Sequence, residues 1–480
     1  MSEHTRDIPV GVVLAAGTGT RLNNGCKPLT RVAGVALLER AVWTLREAGV
    51  GRVVVVVGHA KELVERFVCE RGLDVELVDN ADFRGGNGSS ALVGGRLAGQ
   101  RFFVTMADHI VEWAAVARVV ACPARFAAAV DSEPRYCDVA EATKVRLEGH
   151  RVVDLGRGLE SFDAIDAGMF VCDADLLSVA ERALATGEGS WNAVKRRCIA
   201  EGHVVEAVDL EGAFWIDVDT REEALRAERL LVERAAAKRA DGPVARSLNR
   251  RLSRPLSLLL VRRGVSPTAV TIAGFFLTLV AAAALALGSL WPLALIAGGV
   301  LVQLASVVDG VDGEIARASL RASPYGGFLD SVLDRAGDAA VLVGLAVAAG
   351  LDTASSAALA AALFGTLQVP YMRASYEASF ARPLPASISR LGAGRDVRLL
   401  LIAVLAVALQ PFLGLAVTAA LANLEAARRF LAAWHAREPS GAVSAQPRDP
   451  ARPSEAGLSG GSSRPRSATL GAAQARRRLR

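Results

Sequence analysis

Cysteine is scarce in this chain: there are six in 480 residues, all before position 199 and none in a Cys-x-x-Cys pair. That scatter excludes a disulfide framework and a cysteine-based zinc site, and it fits a reducing compartment. Charge of one sign is also lacking, since the net charge is only +5. The basic excess lies around 235–263 and in the last residues, which points away from nucleic acid and toward a juxtamembrane segment meeting anionic lipid. No leader pattern stands at the start: Met1–Asp7 is polar and Val10–Ala16 is too short for a signal's apolar core, so the first half is expected in the cytosol. Neither a Gly-Lys-Ser/Thr loop nor a GxGxxG turn follows the first apolar run, and no internal repeat is present.

Apolar residues make up 52% of the chain and the mean hydropathy is +0.31, an average that hides an asymmetry. Residues 1–232 alternate short apolar runs (Val10–Ala15, Val53–Val57, Phe102–Met106) with helical patterns. That alternation predicts an α/β, Rossmann-like domain on a mainly parallel sheet. Residues 233–266 are rich in Arg, Lys and Ala, and the amphipathic stretch Leu248–Leu256 reads as an interfacial helix, with a plain linker helix as the alternative. From 267 to 432 come apolar runs long enough to span a bilayer: Thr268–Leu287, Leu290–Val308, Phe328–Gly350, Thr353–Arg373, Val397–Gln410 and Pro411–Arg429. The expectation is an all-α, six-helix transmembrane domain. It would sit multi-pass in the inner or plasma membrane, with the N-terminal domain and the active sites facing the cytoplasm. Residues 433–480, rich in Pro, Ser, Gly and Arg, cannot bury a core and are predicted to be disordered.

The first apolar run leads into Leu14-Ala-Ala-Gly-Thr-Gly-Thr-Arg-Leu22. Glycines after a strand permit a tight turn and close approach of backbone to a polyphosphate. Arg21 and Lys27, the latter followed by Pro28, place two cations where charge develops on a phosphorus under attack. Together these residues resemble the signature of the sugar-phosphate nucleotidyltransferase family, over about 8–232. The resemblance implies that Leu14, Ala15, Gly17 and Thr18 contact nucleotide and that Arg21 and Lys27 are catalytic. It implies Mg²⁺, or Mn²⁺, on Asp108 of Met106-Ala-Asp-His109 and on Asp217 of Trp215-Ile-Asp-Val-Asp-Thr220, with Asp219 the alternative. Two carboxylates from separate loops around one cation suit a triphosphate. Asn80, Gly88 and Ser89 resemble the base- and sugar-recognising segment of the family's cytidylyltransferases. Lys144 stands where a second substrate lysine is expected, though it reads equally well as an exposed strand lysine. Asp166 lies in a stretch, Ile165–Phe170, like the family's acceptor strand.

A second constellation runs Asp309-Gly-Val-Asp-Gly-Glu-Ile-Ala-Arg317, then Gly326, Asp330 and Asp334. On helices, Asp309 and Asp312 share a face, as do Asp330 and Asp334. A charge at membrane depth costs roughly 3 kcal/mol even on lenient scales, so four carboxylates together call for cations. Divalent metal would neutralise them and polarise a diphosphate. Gly313, Ala316 and Gly326 leave room for a nucleotide beside the backbone. The spacing D-x2-D-G-x2-A-R-x8-G-x3-D-x3-D is identified as that of the CDP-alcohol phosphotransferase family, over about 245–430. That resemblance implies metal on Asp309, Asp312 and Asp330. It makes Asp334 both a second-metal ligand and the base for an acceptor hydroxyl that attacks the β-phosphorus and expels CMP. Arg317 would contact the nucleotide's phosphates. Arg373, Arg395 and Arg398 suit a phosphorylated acceptor, with the positive-inside bias as the plain alternative.

Among fusions of these two families, the chain resembles those acting on inositol phosphates. CTP, inositol 1-phosphate and CDP-inositol are then the expected partners, beside the bilayer. One alternative is a fused enzyme that makes a phospholipid head group with a lipid acceptor. Another, of a different class, is a membrane-anchored binding protein with an inactive first half, which intact Lys27, Asp108 and Asp217 speak against. A homodimer through the membrane domain is left open.

Overall fold

Val53–Val57 is an unbroken run of β-branched residues, all buried, as befits a strand covered on both faces. In the computed structural model, which describes residues 9–19, 22, 25–99, 101–237, 242–381, 384 and 394–435, it is one of nine strands in a single sheet. Arg21 and residues 436–480 of the predicted disordered tail lie outside the described residues, while its first three residues, 433–435, belong to the last helix. The nine strands are β1 (Val10–Leu14), β4 (Val53–Val57), β5 (Glu76–Asp79), β6 (Arg101–Met106), β8 (Ala127–Asp131), β9 (Lys144–Glu148), β10 (Arg151–Gly156), β11 (Ala164–Asp173) and β12 (Glu206–Asp209). Two short ladders stand apart: β2 (Arg31–Val32) with β3 (Val35–Ala36), and β7 (His109–Val111) with β13 (Trp215–Asp217).

The order across the sheet is β5-β4-β1-β6-β11-β8-β12-β10-β9. Only the first four run parallel throughout. β11 is antiparallel to β6 and β8, and β10 to β9 and β12, while β8 and β12 pair in parallel, so the sheet is mixed, with only β10 and β11 running against the other seven strands. The β9–β10 reversal is local. Gly149, at φ +62, turns β9 straight into β10, and so short a link can join only antiparallel strands. Helices α1 (Leu37–Glu47), α2 (Lys61–Arg71), α3 (Asn87–Ala98), α4 (Trp113–Val120), α5 (Asp175–Ala185) and α6 (Trp191–Ala200) flank the sheet, which has an apolar core on each face. α7 (Arg221–Ala236) follows, opened by a capping box of Thr220 and Glu223.

The second half is helical: α8 (Arg250–Arg262), α9 (Pro267–Leu287), α10 (Pro292–Ala318), α11 (Pro324–Ala348), α12 (Thr353–Phe380), α13 (Arg395–Val407) and α14 (Pro411–His435). Side chains of Ser266, Ser323 and Asp352 cap α9, α11 and α12. α9 and α10 are long and apolar enough to cross a membrane. α11 carries Asp330, Asp334, Arg335 and Asp338, which dilute its apolar character. The expected span Leu290–Val308 is part of a longer rod: α10 starts at Pro292 and continues to Ala318, so Asp309 and Asp312 ride on it. Small residues let the helices approach, since a Cβ added to Gly298 would lie 2.7 Å from the Leu285 nitrogen and one on Gly299 2.7 Å from the Ala403 carbonyl.

The two halves share a core. Ala33, Val232 and Ala235 pack with Val261, Val270, Val311, Ile315 and Ala318. α8, which covers most of the stretch expected to lie at the bilayer interface, packs here as an internal strut. Arg250, Ser253 and Ser257 each donate to the fully buried Glu314 carboxylate at 2.6 Å, while Leu252 and Leu259 are exposed.

Candidate active sites

β1 and β6 are parallel neighbours ending at Leu14 and Met106, so the chain leaves both at the same edge of the sheet, where α/β folds place ligands. A cleft of about 360 Å³ lies there, lined by Leu14, Ala15, Gly17, Lys27, Phe83, Asn87, Ser90, Asp108, Arg157 and Asp219 among others. Gly19 stands at φ +56 with its missing Cβ aimed at Lys27, so the loop folds over the lysine only with glycine at that position.

Lys27 pairs with both Asp108 and Asp219. Burial pulls its ammonium down, but the Asp108 and Asp217 carboxylates outweigh burial and hold it above the usual lysine range. Burial alone would raise Asp108, and Lys27 and His109 bring it below the usual carboxylate range. Asp217 is pushed up to about 6, chiefly by burial. Ligand atoms of Asp108, His109 and Asp217 all lie within 4.8 Å of one another. One carboxylate oxygen on each aspartate, together with His109 Nδ1, is buried without a hydrogen-bond partner. These buried acceptors are a donor set that could hold a divalent cation. Mostly oxygen ligands fit Mg²⁺ or Mn²⁺.

The sequence reading left His109 aside, although its place directly after Asp108 was a signal. Gly168, at φ +74, leaves the space that the His109 ring fills. Asp217 faces His109, whereas Asp219 faces Lys27. Asn80 is buried and donates to the hydroxyls of Ser89 (3.0 Å) and Ser90 (2.9 Å), and of these three only Ser90 lines the cleft. Gly88 donates its amide to the Gly189 carbonyl at 2.9 Å. Thr18 is exposed and outside the lining. The Lys144 ammonium lies 5.2 Å over the Phe162 ring, also outside it. Asp166 pairs with Lys195 in near-complete burial, and Lys195 was not singled out from sequence. Arg21 lies outside the described residues.

In the helical half, every residue singled out from sequence lines one cleft of about 1430 Å³: Asp309, Asp312, Gly313, Ala316, Arg317, Gly326, Asp330, Asp334, Arg373, Arg395 and Arg398. Carboxylate oxygens of Asp309, Asp330 and Asp334 lie within 4.8 Å of one another. Asp312 is buried and accepts from the Thr271 hydroxyl at 2.5 Å. Arg395 spans the array, 3.1 Å from Asp309, 3.1 Å from Asp334 and 2.9 Å from Asp338. Asp338 is the carboxylate that the sequence reading missed, though its place four residues beyond Asp334 repeats the Asp330–Asp334 step. Arg335 adds a second guanidinium, 3.4 Å from Asp334 and 3.8 Å from Asp338, and the all-oxygen donor set of Asp309, Asp330 and Asp334 fits a hard divalent cation. Arg398 is buried with Nη1 unpartnered. Arg373 is exposed and pairs with Glu377 at 2.9 Å.

Residues 11–201 match the MobA-like NTP transferase domain, and residues 265–431 match CDP-alcohol phosphatidyltransferase. The chain is similar to a "Bifunctional IPC transferase and DIPP synthase" of Rubrobacter xylanophilus, 46% identical over 88% of this chain and 95% of the relative. It is also similar to one of the same description from Thermococcus kodakarensis, 37% identical over 81% of this chain and 88% of that relative. Among solved structures, the inositol-1-phosphate CTP transferase from T. maritima matches with a TM-score of 0.42 and 24% identity, over 45% of this chain and 91% of that one. With both halves matched and the likeness running almost end to end along the Rubrobacter relative, the chain belongs to the family of bifunctional IPC transferases and DIPP synthases.

Proposed function

We propose that the chain makes a CDP-alcohol in its first cleft and consumes it in its second. In the first, a phosphate oxygen of inositol 1-phosphate attacks the α-phosphorus of CTP. The bond to the β-phosphate breaks and pyrophosphate leaves, giving CDP-inositol. Lys27, poised between Asp108 and Asp219, counters the charge that grows on the phosphates. Gly17 and Gly19 bring backbone close to the triphosphate, with Leu14 and Ala15 beside it.

In the second cleft, a hydroxyl of another inositol 1-phosphate attacks the β-phosphorus of CDP-inositol. Asp334 takes the hydroxyl proton, the bond to CMP breaks, and a phosphorylated di-inositol phosphate is formed. Arg317 orients the nucleotide's diphosphate, and Arg398 and Arg373 supply cations for the acceptor's phosphate. Divalent metal, held by Asp108 and Asp217 in one cleft and by Asp309, Asp312, Asp330 and Asp334 in the other, would neutralise the phosphates. Thr271 fixes the orientation of Asp312, and the packed lining of both clefts positions the reactants.

The observation that carries this reading is a cleft fit for making the donor and a cleft fit for using it in one chain, alike in both halves to relatives so described. That likeness favours a phosphorylated soluble acceptor over a lipid. The helices from α9 to α14 are read as six membrane spans, with the nucleotidyltransferase half and both clefts on the cytoplasmic side and domain boundaries near 232, 266 and 432. Outward-facing Phe276, Leu293, Phe328, Phe364 and Leu424 support that placement.

Incubating the purified protein with CTP, inositol 1-phosphate and Mg²⁺, with mass spectrometry of the products, tests the reading. CDP-inositol should form first, then a di-inositol bisphosphate with CMP. A phospholipid product made only when lipid is supplied would replace this reading with the lipid-acceptor one.

A further inference from the structure

Each half of the chain closes the carboxyl end of a helix belonging to the other. Arg40, on α1, is buried and donates from Nη2 to the carbonyls of Ala318 at 2.9 Å and Val32 at 3.1 Å. Ala318 is the last residue of α10, where carbonyls have no partner within the helix and the dipole's negative end attracts a cation. In return Arg317 reaches from Nε to the carbonyl of Ala235, in the last turn of α7, at 2.9 Å. Between the two exchanged contacts lies the shared apolar core of Ala33, Val232, Ala235, Ile315 and Ala318.

Arg40 lines neither cleft, but Arg317 lines the one that holds the carboxylate array. The Arg317 guanidinium also lies along its own helix, so that a Cβ added to Gly313 would sit 2.9 Å from Nη1. Its position is thus set between α10 and the end of α7. We infer that Arg40 is a positioning residue for phosphotransfer: the nucleotidyltransferase half holds the last turn of α10, and with it Arg317, in register with the donor's phosphates. A membrane domain of this kind would work at full rate only with the first half docked. The inference rests on the proposed second reaction.

The test uses the full chain in detergent, supplied with CDP-inositol and inositol 1-phosphate. Pyrophosphate release from CTP is measured alongside, since it depends on the other cleft. Turnover of CDP-inositol by the unaltered protein is established first, so a failure of the proposed function is distinguishable from a failure of this inference. Arg40→Met keeps the apolar stem and removes the donors. It should raise the KM for CDP-inositol roughly tenfold, the size of one charged hydrogen bond, while leaving the KM for inositol 1-phosphate and the pyrophosphate rate within about twofold. Arg40→Lys, which keeps the charge and one reach to Ala318, should recover part of the loss. If Arg40→Met does not fold, the same two KM values for Arg40→Lys decide the matter. An unchanged KM for CDP-inositol, or an equal rise in both KM values, would overturn the inference.

Discussion

The guanidinium of Arg395, the first residue of α13, lies 3.1 Å from Oδ1 of Asp334 on α11 and equally close to Asp309 on α10. It therefore stands where two ligands of the expected metal array meet. Sequence had grouped Arg395 with Arg398 as acceptor contacts, and the geometry separates them. Arg395→Gln removes a charge that competes with a divalent cation. Mn²⁺ titration of the substrate-free protein should show tighter binding, by roughly fivefold for a solvent-screened ion pair worth about 1 kcal/mol, while turnover falls. Arg398→Gln should leave the metal titration unchanged and raise the KM for inositol 1-phosphate more than that for CDP-inositol. Identical behaviour of the two variants would show that the separation is wrong.

Asp334→Asn should abolish consumption of CDP-inositol, with loss of the base contributing about 10²–10⁴ in rate. Pyrophosphate release from CTP should stay at the unaltered rate, because Asp334 lines only the second cleft. Loss of both activities in a folded variant would mean that the two clefts do not act separately.

Lys27→Ala and Asp108→Asn address the opposite cleft. Each should lower pyrophosphate release by on the order of 10²-fold or more. The same preparations, given ready-made CDP-inositol, should still produce CMP. A radiolabelled donor measures this directly.

Glu314 tests what joins α8 to α10. Its carboxylate is fully buried and accepts from Arg250, Ser253 and Ser257. Glu314→Ala removes the carboxylate to which Arg250, Ser253 and Ser257 donate, and breaking a buried ion pair of this kind costs about 3–5 kcal/mol. A clear drop in the unfolding temperature in detergent is expected, with Glu314→Gln intermediate because it keeps an acceptor for the serines. A variant as stable as the parent would show that the serines and Arg250 find other partners.

The sites are legible to different degrees because their signals have different ranges. The glycine loop with Lys27 is a local pattern, since one strand-to-loop turn carries it. The array on α10 and α11 is nearly local too: helical spacing puts Asp309 with Asp312 and Asp330 with Asp334 on shared faces, and one short turn brings the two helices together. Asp338 extends the same spacing and could have been read from it. Lys195 beside Asp166, His109 beside Asp217 and Glu314 beneath Arg250 have no such spacing, because each pair joins elements far apart in the chain.

Sequence by itself determined the class of each half: alternating short β-branched runs must bury in a covered sheet, and long apolar runs broken by Gly and Pro must form helices. It also determined which carboxylates share a helix face, because the helical repeat is fixed by backbone geometry. The reversal of direction across β11, the placing of Arg395 on the carboxylates and the exchange of helix caps between Arg40 and Arg317 were decided only by tertiary structure. Each depends on which distant surfaces leave the fewest buried polar groups unpaired when they pack, and no stretch of chain contains that information alone.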